Sequence, residues 1–128
     1  MNFSKNDLVF IPLGGSGEIG MNCNLYHYNG SWIMIDLGVM FGNSNLSSNE
    51  LIMPNIEFIS NKIEKLSALI LTHAHEDHIG AVPYLFEKLG KVPIYTTSFT
   101  ASVLKRKFES VGINEYQINL MEYGKELD

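Results

Sequence analysis

The apolar run Ser67-Ala68-Leu69-Ile70-Leu71 passes directly into Thr72-His73-Ala74-His75-Glu76-Asp77-His78. Apolar residues spaced for a helix follow at once. A short apolar run ended by polar residues reads as a buried strand. Ile79, Val82, Leu85, Phe86 and Leu89 recur at helical spacing, so a helix is expected from Ile79 to Leu89, with Gly90 as its stop. Pro83 falls near the first turn, where a missing N–H costs least. This order of strand, polar loop and helix restricts the chain to folds that mix sheet with helix. The loop also holds three of the chain's 4 histidines; the fourth, His27, stands alone far upstream.

The flanking segments fit the same class. "LVFIPLG" is apolar and ends in a glycine cluster, as a buried strand does. "MNCNLYHY" and "SWIMIDLG" flank Asn29-Gly30, and Asn-Gly between two strand-like runs is a strong hairpin signal because both residues tolerate positive φ. Residues 41–50 are polar and rich in Gly, Asn and Ser, hence a loop. "NIEFISNKIEKL" predicts a short helix on Ile56, Ile59 and Ile63, and "VPIYTT" a short strand. "SFTASVLKRKFESVG" predicts an amphipathic helix capped by Ser98 or Thr100 and stopped by Gly112. The run Lys105-Arg106-Lys107 on that helix reads as a solvated face rather than an RNA contact. The tail from Ile113 is strand-like, then turn-like.

Composition narrows the function classes. A chain of 128 residues with 45% hydrophobic content suits one globular domain. Lys+Arg total 9 against Asp+Glu 14, a formal charge of -5. That balance advertises no polyanion partner unless a local patch or a bound metal reverses the sign. No apolar run reaches the ~18 residues of a membrane span, and the first ten residues lack a signal-peptide core. The one cysteine, Cys23, forms no internal disulfide, which fits a reducing cytoplasm. A lone cysteine reads first as a small core residue.

"GGSGEIG" carries G-x-G-x-x-G at Gly15, Gly17 and Gly20, after a strand. Dinucleotide binding needs a helix directly behind it, to present its N-terminus to the pyrophosphate. Here a hairpin follows instead, and Asp36, at a tempting distance, would sit on an antiparallel strand. Two readings remain: a tight turn needing positive φ, or a loop whose bare backbone approaches a ligand.

The histidine loop is the most specific signal. In extended chain, residues two apart point to the same side. His73 and His75 can therefore share one metal through imidazole nitrogens. As the chain turns into the helix, Asp77 and His78 swing to a neighbouring point and can hold a second ion. Paired ions of this kind lie ~3.5–4 Å apart. Glu76 would then point outward. The plain alternative, a surface turn with scattered histidines, leaves three imidazoles poorly satisfied and mutually repelling once protonated.

"THAHEDH" resembles the signature of the metallo-β-lactamase fold superfamily. "PLGGSGEIGMN", then "IDLG" with Phe41 following, then "LTHAHEDHIGAVPYL" resemble, in that order, the amino-terminal part of ribonuclease J, of the bacterial beta-CASP group. The resemblance runs from Leu8 to about Lys107. It implies an α/β (α+β) fold: the first half of an αββα sandwich, mostly antiparallel sheet with flanking helices, occupying residues 1–128 as one partial domain. It also implies RNA phosphodiester hydrolysis by a two-zinc site in the cytoplasm. His73 and His75 would bind one zinc, Asp77 and His78 the other, with Asp77 and His78 also serving catalysis. Asp36 would steady the metal-binding loop by hydrogen bonds, or else be a plain strand-ending turn aspartate. Gly15, Ser16, Gly17 and Glu18 would help shape the RNA channel. Imidazole with carboxylate also suits manganese or iron.

The chain departs from that family in two places. The family supplies further ligands downstream, yet no histidine follows His78 and the only later aspartate is Asp128. Each ion would have two protein ligands here, below the three or four of zinc sites. Asn55 stands where the family often has an acid, and turn capping suits it better than a functional part. The resemblance therefore implies a piece inactive alone, whose uncovered sheet face needs self-association or a complementary chain. The competing functions are another hydrolase of the superfamily, a thioesterase or lactonase, and a non-catalytic remnant or half of a split enzyme.

Overall fold

A computed structural model describes residues 2–42 and 50–127. The expected loop at 41–50 falls largely on residues 43–49, outside the described residues, as does Asp128.

The first three strands form an antiparallel meander. β1 (Val9–Gly14) pairs with β2 (Cys23–Tyr28), and β2 pairs with β3 (Ser31–Ile35). Asn29 (φ 51°) and Gly30 (φ 81°) make the tight turn between β2 and β3. Two short strands, β4 (Met40–Phe41) and β5 (Leu51–Ile52), pair antiparallel apart from the main sheet. α1 (Glu57–Ser60) follows, with Asn55 Oδ1 accepting the Glu57 N–H at 2.9 Å as turn capping requires. Ile56 and Ile59 of that segment enter the core, whereas Ile63 stays exposed.

β6 (Leu66–Ile70), β7 (Ile94–Thr96) and β8 (Ile118–Leu120) then join the sheet in parallel, in the order β1-β2-β3-β6-β7-β8. The expectation of a mostly antiparallel sheet holds for the meander alone; the sheet is mixed. The cause is the helical connections. α2 (Glu76–Ile79) and α3 (Val82–Leu85) link β6 to β7, and α4 (Ser98–Ser110) links β7 to β8. A helical crossover returns the chain in the same direction, and right-handed crossovers lay successive helices on one face.

The expected helix over residues 79–89 is broken into α2, α3 and a 3₁₀ turn at Glu87–Leu89. Two donors account for this. Pro83 has none to offer Ile79, and the Ala81 N–H goes to Leu37 O at 3.0 Å instead of the preceding turn. α4 begins one residue early, with Thr97 in the N-cap position rather than Ser98 or Thr100, and its hydroxyl makes no cap bond.

The core lies between the helices and one sheet face. Trp32, Met34, Leu69 and Ile94 from the strands pack with Ile59, Phe86, Leu104 and Phe108. Cys23 belongs to it, and burial, with the Asp36 charge adding, pushes its thiol up to about 12. The opposite sheet face carries Phe10, Tyr26 and Tyr28, all exposed, and half-buried Ile33 and Ile35. A shallow groove of about 350 Å³ runs along it between Leu8, Tyr26, Tyr28, Ile33 and Ile35. Asn24, opposite Ile35 on this face, buries an Oδ1 that has no hydrogen-bond partner among the described residues. No described helix is long and apolar enough to cross a membrane.

Two outcomes follow from this packing. Contiguous apolar surface on one sheet face drives association. At tens of micromolar the chain should elute above its monomer mass in size-exclusion chromatography, and Phe10→Ser with Tyr26→Ser should move it toward the monomer; a compact, stable wild-type monomer contradicts this. Cys23 should resist iodoacetamide at pH 8 in the native chain and react only as urea unfolds it, because the thiolate is the nucleophile; rapid native labelling contradicts its burial.

Candidate metal centre

The four candidate donors sit where β6 ends and α2 begins. Leu71 is still held as strand, its N–H donating to Tyr95 O at 2.9 Å. His75, extended at ψ 148°, is the last residue before α2. The structure brings His73, His75, Asp77 and His78 together in two close pairs. His73 Nε2 lies 3.2 Å from His75 Nδ1, and His78 Nε2 lies 3.5 Å from Asp77 Oδ2. The pairs adjoin, with the His73 and His78 ring centroids 4.1 Å apart.

Asp36 organises both pairs from below. Its carboxylate is buried and accepts the Thr72 N–H at 2.8 Å and His78 Nδ1–H at 2.7 Å. The Thr72 hydroxyl lies 3.0 and 2.9 Å from its two oxygens. A carboxylate only accepts, so His78 carries its proton on Nδ1 and turns the Nε2 lone pair outward. Thr72 has one hydroxyl proton, given to Asp36, so its oxygen accepts Nδ1–H of His73 at 3.0 Å. That fixes the tautomer of His73 as well, again with Nε2 free. Asp36 is more than a strand-ending turn residue, although it is that too: its φ is 61°, a region where aspartate is among the few non-glycine residues tolerated.

The backbone around the motif is clamped by residues 21–22 and 37–39. Asn22 N–H donates to Asp77 O at 2.9 Å, Leu37 N–H to His78 O at 2.8 Å, and Val39 N–H to Glu76 O at 3.1 Å. Gly38 makes the approach possible, since a Cβ there would lie 1.7 Å from Asp77 O. Asn22 was not legible as a site residue. Its Nδ2 reaches Asp77 O at 3.1 Å, Asp77 Oδ2 at 3.4 Å and His78 Nε2 at 3.3 Å. Thr72 is the other such residue. The only signals were an asparagine just past the glycine loop and a hydroxyl just before the histidines.

The Gly-rich loop has no helix behind it; β2 follows, so the dinucleotide geometry is absent. Gly15 sits at φ 84°, and a Cβ on it would meet Asn22 Oδ1 at 2.4 Å. The loop is thus bare where it passes the asparagine that touches the donors. Glu18 Oε1 accepts the Gly15 N–H at 3.2 Å, while Ser16, Gly17 and Glu18 are exposed. A cleft of about 340 Å³ separates Ile19 and Gly20 from Met40 and Phe41 and is bordered by Glu76 and Asp77.

The donor chemistry fits metal ions in part. Two nitrogens held at ~2.0–2.1 Å by one tetrahedral zinc lie about 3.3 Å apart, close to the 3.2 Å of the His73–His75 pair, and the 3.5 Å between His78 Nε2 and Asp77 Oδ2 is near that spacing. Ligating histidines commonly give their other N–H to a carboxylate, as His78 does to Asp36. Among the described residues no three His, Cys, Asp or Glu side chains converge on one ion position. Each pair offers two donors.

This fold and this loop define a class. The profile of the metallo-beta-lactamase superfamily matches residues 17–115, and the chain belongs to that superfamily. Within it, the chain is similar to ribonucleases J: 44% identical over 128 residues to that of Sinorhizobium meliloti, covering 95% of this chain and 22% of that protein. Against the ribonuclease J of Thermus thermophilus identity is 36% over 122 residues, 92% of this chain and 21% of that protein. The chain spans about a fifth of the length of these relatives. A flavo di-iron protein mutant from Thermotoga maritima superposes with a TM-score of 0.54 at 18% identity, covering 84% of this chain and 24% of that one. The short form of human tRNase Z does so at 0.51 and 18%, covering 88% and 44%. These two likenesses establish the fold alone.

Asp36 should carry stability as well as geometry. Asp36→Asn keeps the left-handed backbone but sets an amide against His78 Nδ1, and should cost about 1–2 kcal/mol. Asp36→Ala adds backbone strain and strips every acceptor, for about 3 kcal/mol. Urea unfolding of both variants tests the ranking; an alanine variant as stable as wild type contradicts it.

Proposed function

We propose that this chain is the metal-binding part of an RNA-cutting hydrolase of the ribonuclease J kind, working in the cytoplasm. The observation that carries the proposal is the convergence of two donor pairs over one buried carboxylate, in a chain similar to ribonucleases J over most of its length. His73 and His75 would hold one ion, and Asp77 and His78 the other; zinc suits the donor set, and manganese or iron would be accepted by it. Bound there, the ions would lower the pKa of a water toward neutrality and offset charge on the phosphate.

The residues' own tasks are orientation and proton placement. Asp36 holds the proton of His78 on Nδ1, which keeps Nε2 directed at the site. Thr72 does the same for His73. His75 must present Nδ1, so its proton would move to Nε2 when a metal takes the facing lone pair. The Asp77 carboxylate, half-exposed beside His78, would orient an attacking water by accepting a hydrogen bond from it. The loop of half-buried Gly15 and exposed Ser16, Gly17 and Glu18 borders Asn22, and an RNA strand would pass there. Metal charge would reverse the repulsion expected from a chain of formal charge -5.

With two side chains per ion, the 128-residue chain should bind zinc weakly and turn over little RNA by itself. A co-expressed chain supplying further donors should restore cleavage, and His75→Ala should abolish that cleavage by at least ~100-fold. Parallel assays on a thioester and on single-stranded RNA separate the hydrolase classes. Robust RNA cleavage by the chain alone contradicts the two-donor account, and thioester turnover in place of RNA cleavage contradicts the substrate.

A further inference from the structure

The basic run on α4 does not behave as one solvated face. Lys105 and Arg106 are exposed, but Lys107 turns inward and is only 23% exposed. Its ammonium pairs with Glu76 Oε1, 31 residues back in the chain. Glu76 is the acid between His75 and Asp77 in the loop, and it has no expected part as a ligand.

Glu76 is held from several sides. Its carbonyl accepts Val39 N–H at 3.1 Å and Gly80 N–H at 2.8 Å. Its carboxylate folds over Gly80, where a Cβ would lie 2.8 Å from Glu76 Oε2. Among the described residues, no hydrogen bond joins that carboxylate to His73, His75, Asp77 or His78. A free carboxylate at this point, next in sequence to both proposed ligand pairs, would offer hard-metal oxygens of the kind Asp77 offers. Because α2 is one turn long, its intrinsic helicity does little to hold the residue in place.

We infer that Lys107 is a positioning residue, which anchors the Glu76 carboxylate to α4 and so keeps it from competing with Asp77 and His78 for metal. This rests on the reading of residues 73–78 as a metal-binding loop. Lys107 touches no donor and acts only through Glu76. It braces the turn that carries Asp77 and His78 and cancels a charge that would otherwise distort the ligand set.

Cobalt(II) absorption and metal-free amide exchange on the full chain test this. In Lys107→Ala the Ile79 and Gly80 amides, which donate to His75 O and Glu76 O, should exchange about tenfold faster while Leu104 and Phe108 keep their protection. The cobalt bands should change and affinity should fall about tenfold. Lys107→Arg should restore both. Lys107→Ala with Glu76→Gln should restore the bands, because the competing carboxylate is gone. Bands that stay altered in this double variant assign Lys107 a purely structural tie and overturn the proposal, as does Lys107→Ala with wild-type bands and exchange. A wild-type chain that takes up no cobalt removes the metal-loop reading instead, and the exchange ranking then decides whether Lys107 sets the turn.

Discussion

One buried carboxylate governs the geometry of this molecule's loop cluster. Asp36 ends β3, accepts from the backbone and hydroxyl of Thr72, and takes the Nδ1 proton of His78. Those contacts tie the end of one strand to both sides of the histidine turn. A buried carboxylate is costly unless each oxygen is satisfied, and here the satisfying groups are those that orient the imidazoles. The left-handed backbone at Asp36 has a similar logic. It directs the side chain under the loop, and Asp36 N–H still reaches Ile70 O at 2.9 Å, so the turn does not detach from the sheet.

Around that hub the backbone is threaded closely. Residues 37–39 lie between residues 21–22 and 76–78 and bond to both, which leaves no space for a side chain at Gly38. The glycine loop is part of the same arrangement, because Gly15 leaves room for Asn22. The histidine loop is therefore rigid by backbone bonding rather than by helix propensity. Two features remain unbalanced within the described residues: the donors come in pairs, and one sheet face carries exposed aromatic rings. Under the proposed function, the same additional protein, in this chain or another, would supply ligands and cover that face.

Much of this was legible in the residues. The Asn29-Gly30 hairpin, the strands at "LVFIPLG" and "SALIL", and the helix from Ser98 follow from local turn chemistry and periodicity. The grouping of His73, His75, Asp77 and His78 follows from spacing at a strand end. Tertiary choices were not legible. Asp77 O and Leu37 O bond across the chain to Asn22 and Ala81, and together with Pro83 this breaks the helix that the apolar spacing suggests. Lys107 looks like its two basic neighbours until the fold places Glu76 beneath it. Asn22 and Thr72 lie inside the quoted motifs, but nothing there marks their contacts, which reach residues over fifty and over thirty positions away. The parallel half of the sheet depends on which strands the helical crossovers bring side by side, which no single segment encodes.

The central claim is that Asp36 presets the imidazoles so that specific nitrogens face the positions where the proposed ions would bind. Long-range ¹H–¹⁵N spectra of the histidine rings, recorded on the chain with and without zinc, address it atom by atom. The account requires His78 and His73 to hold Nδ1–H in both states, with zinc shifting Nε2 of His73, Nδ1 of His75 and Nε2 of His78. Spectra in which His78 bears its proton on Nε2, or in which saturating zinc moves none of these nitrogens, would contradict it.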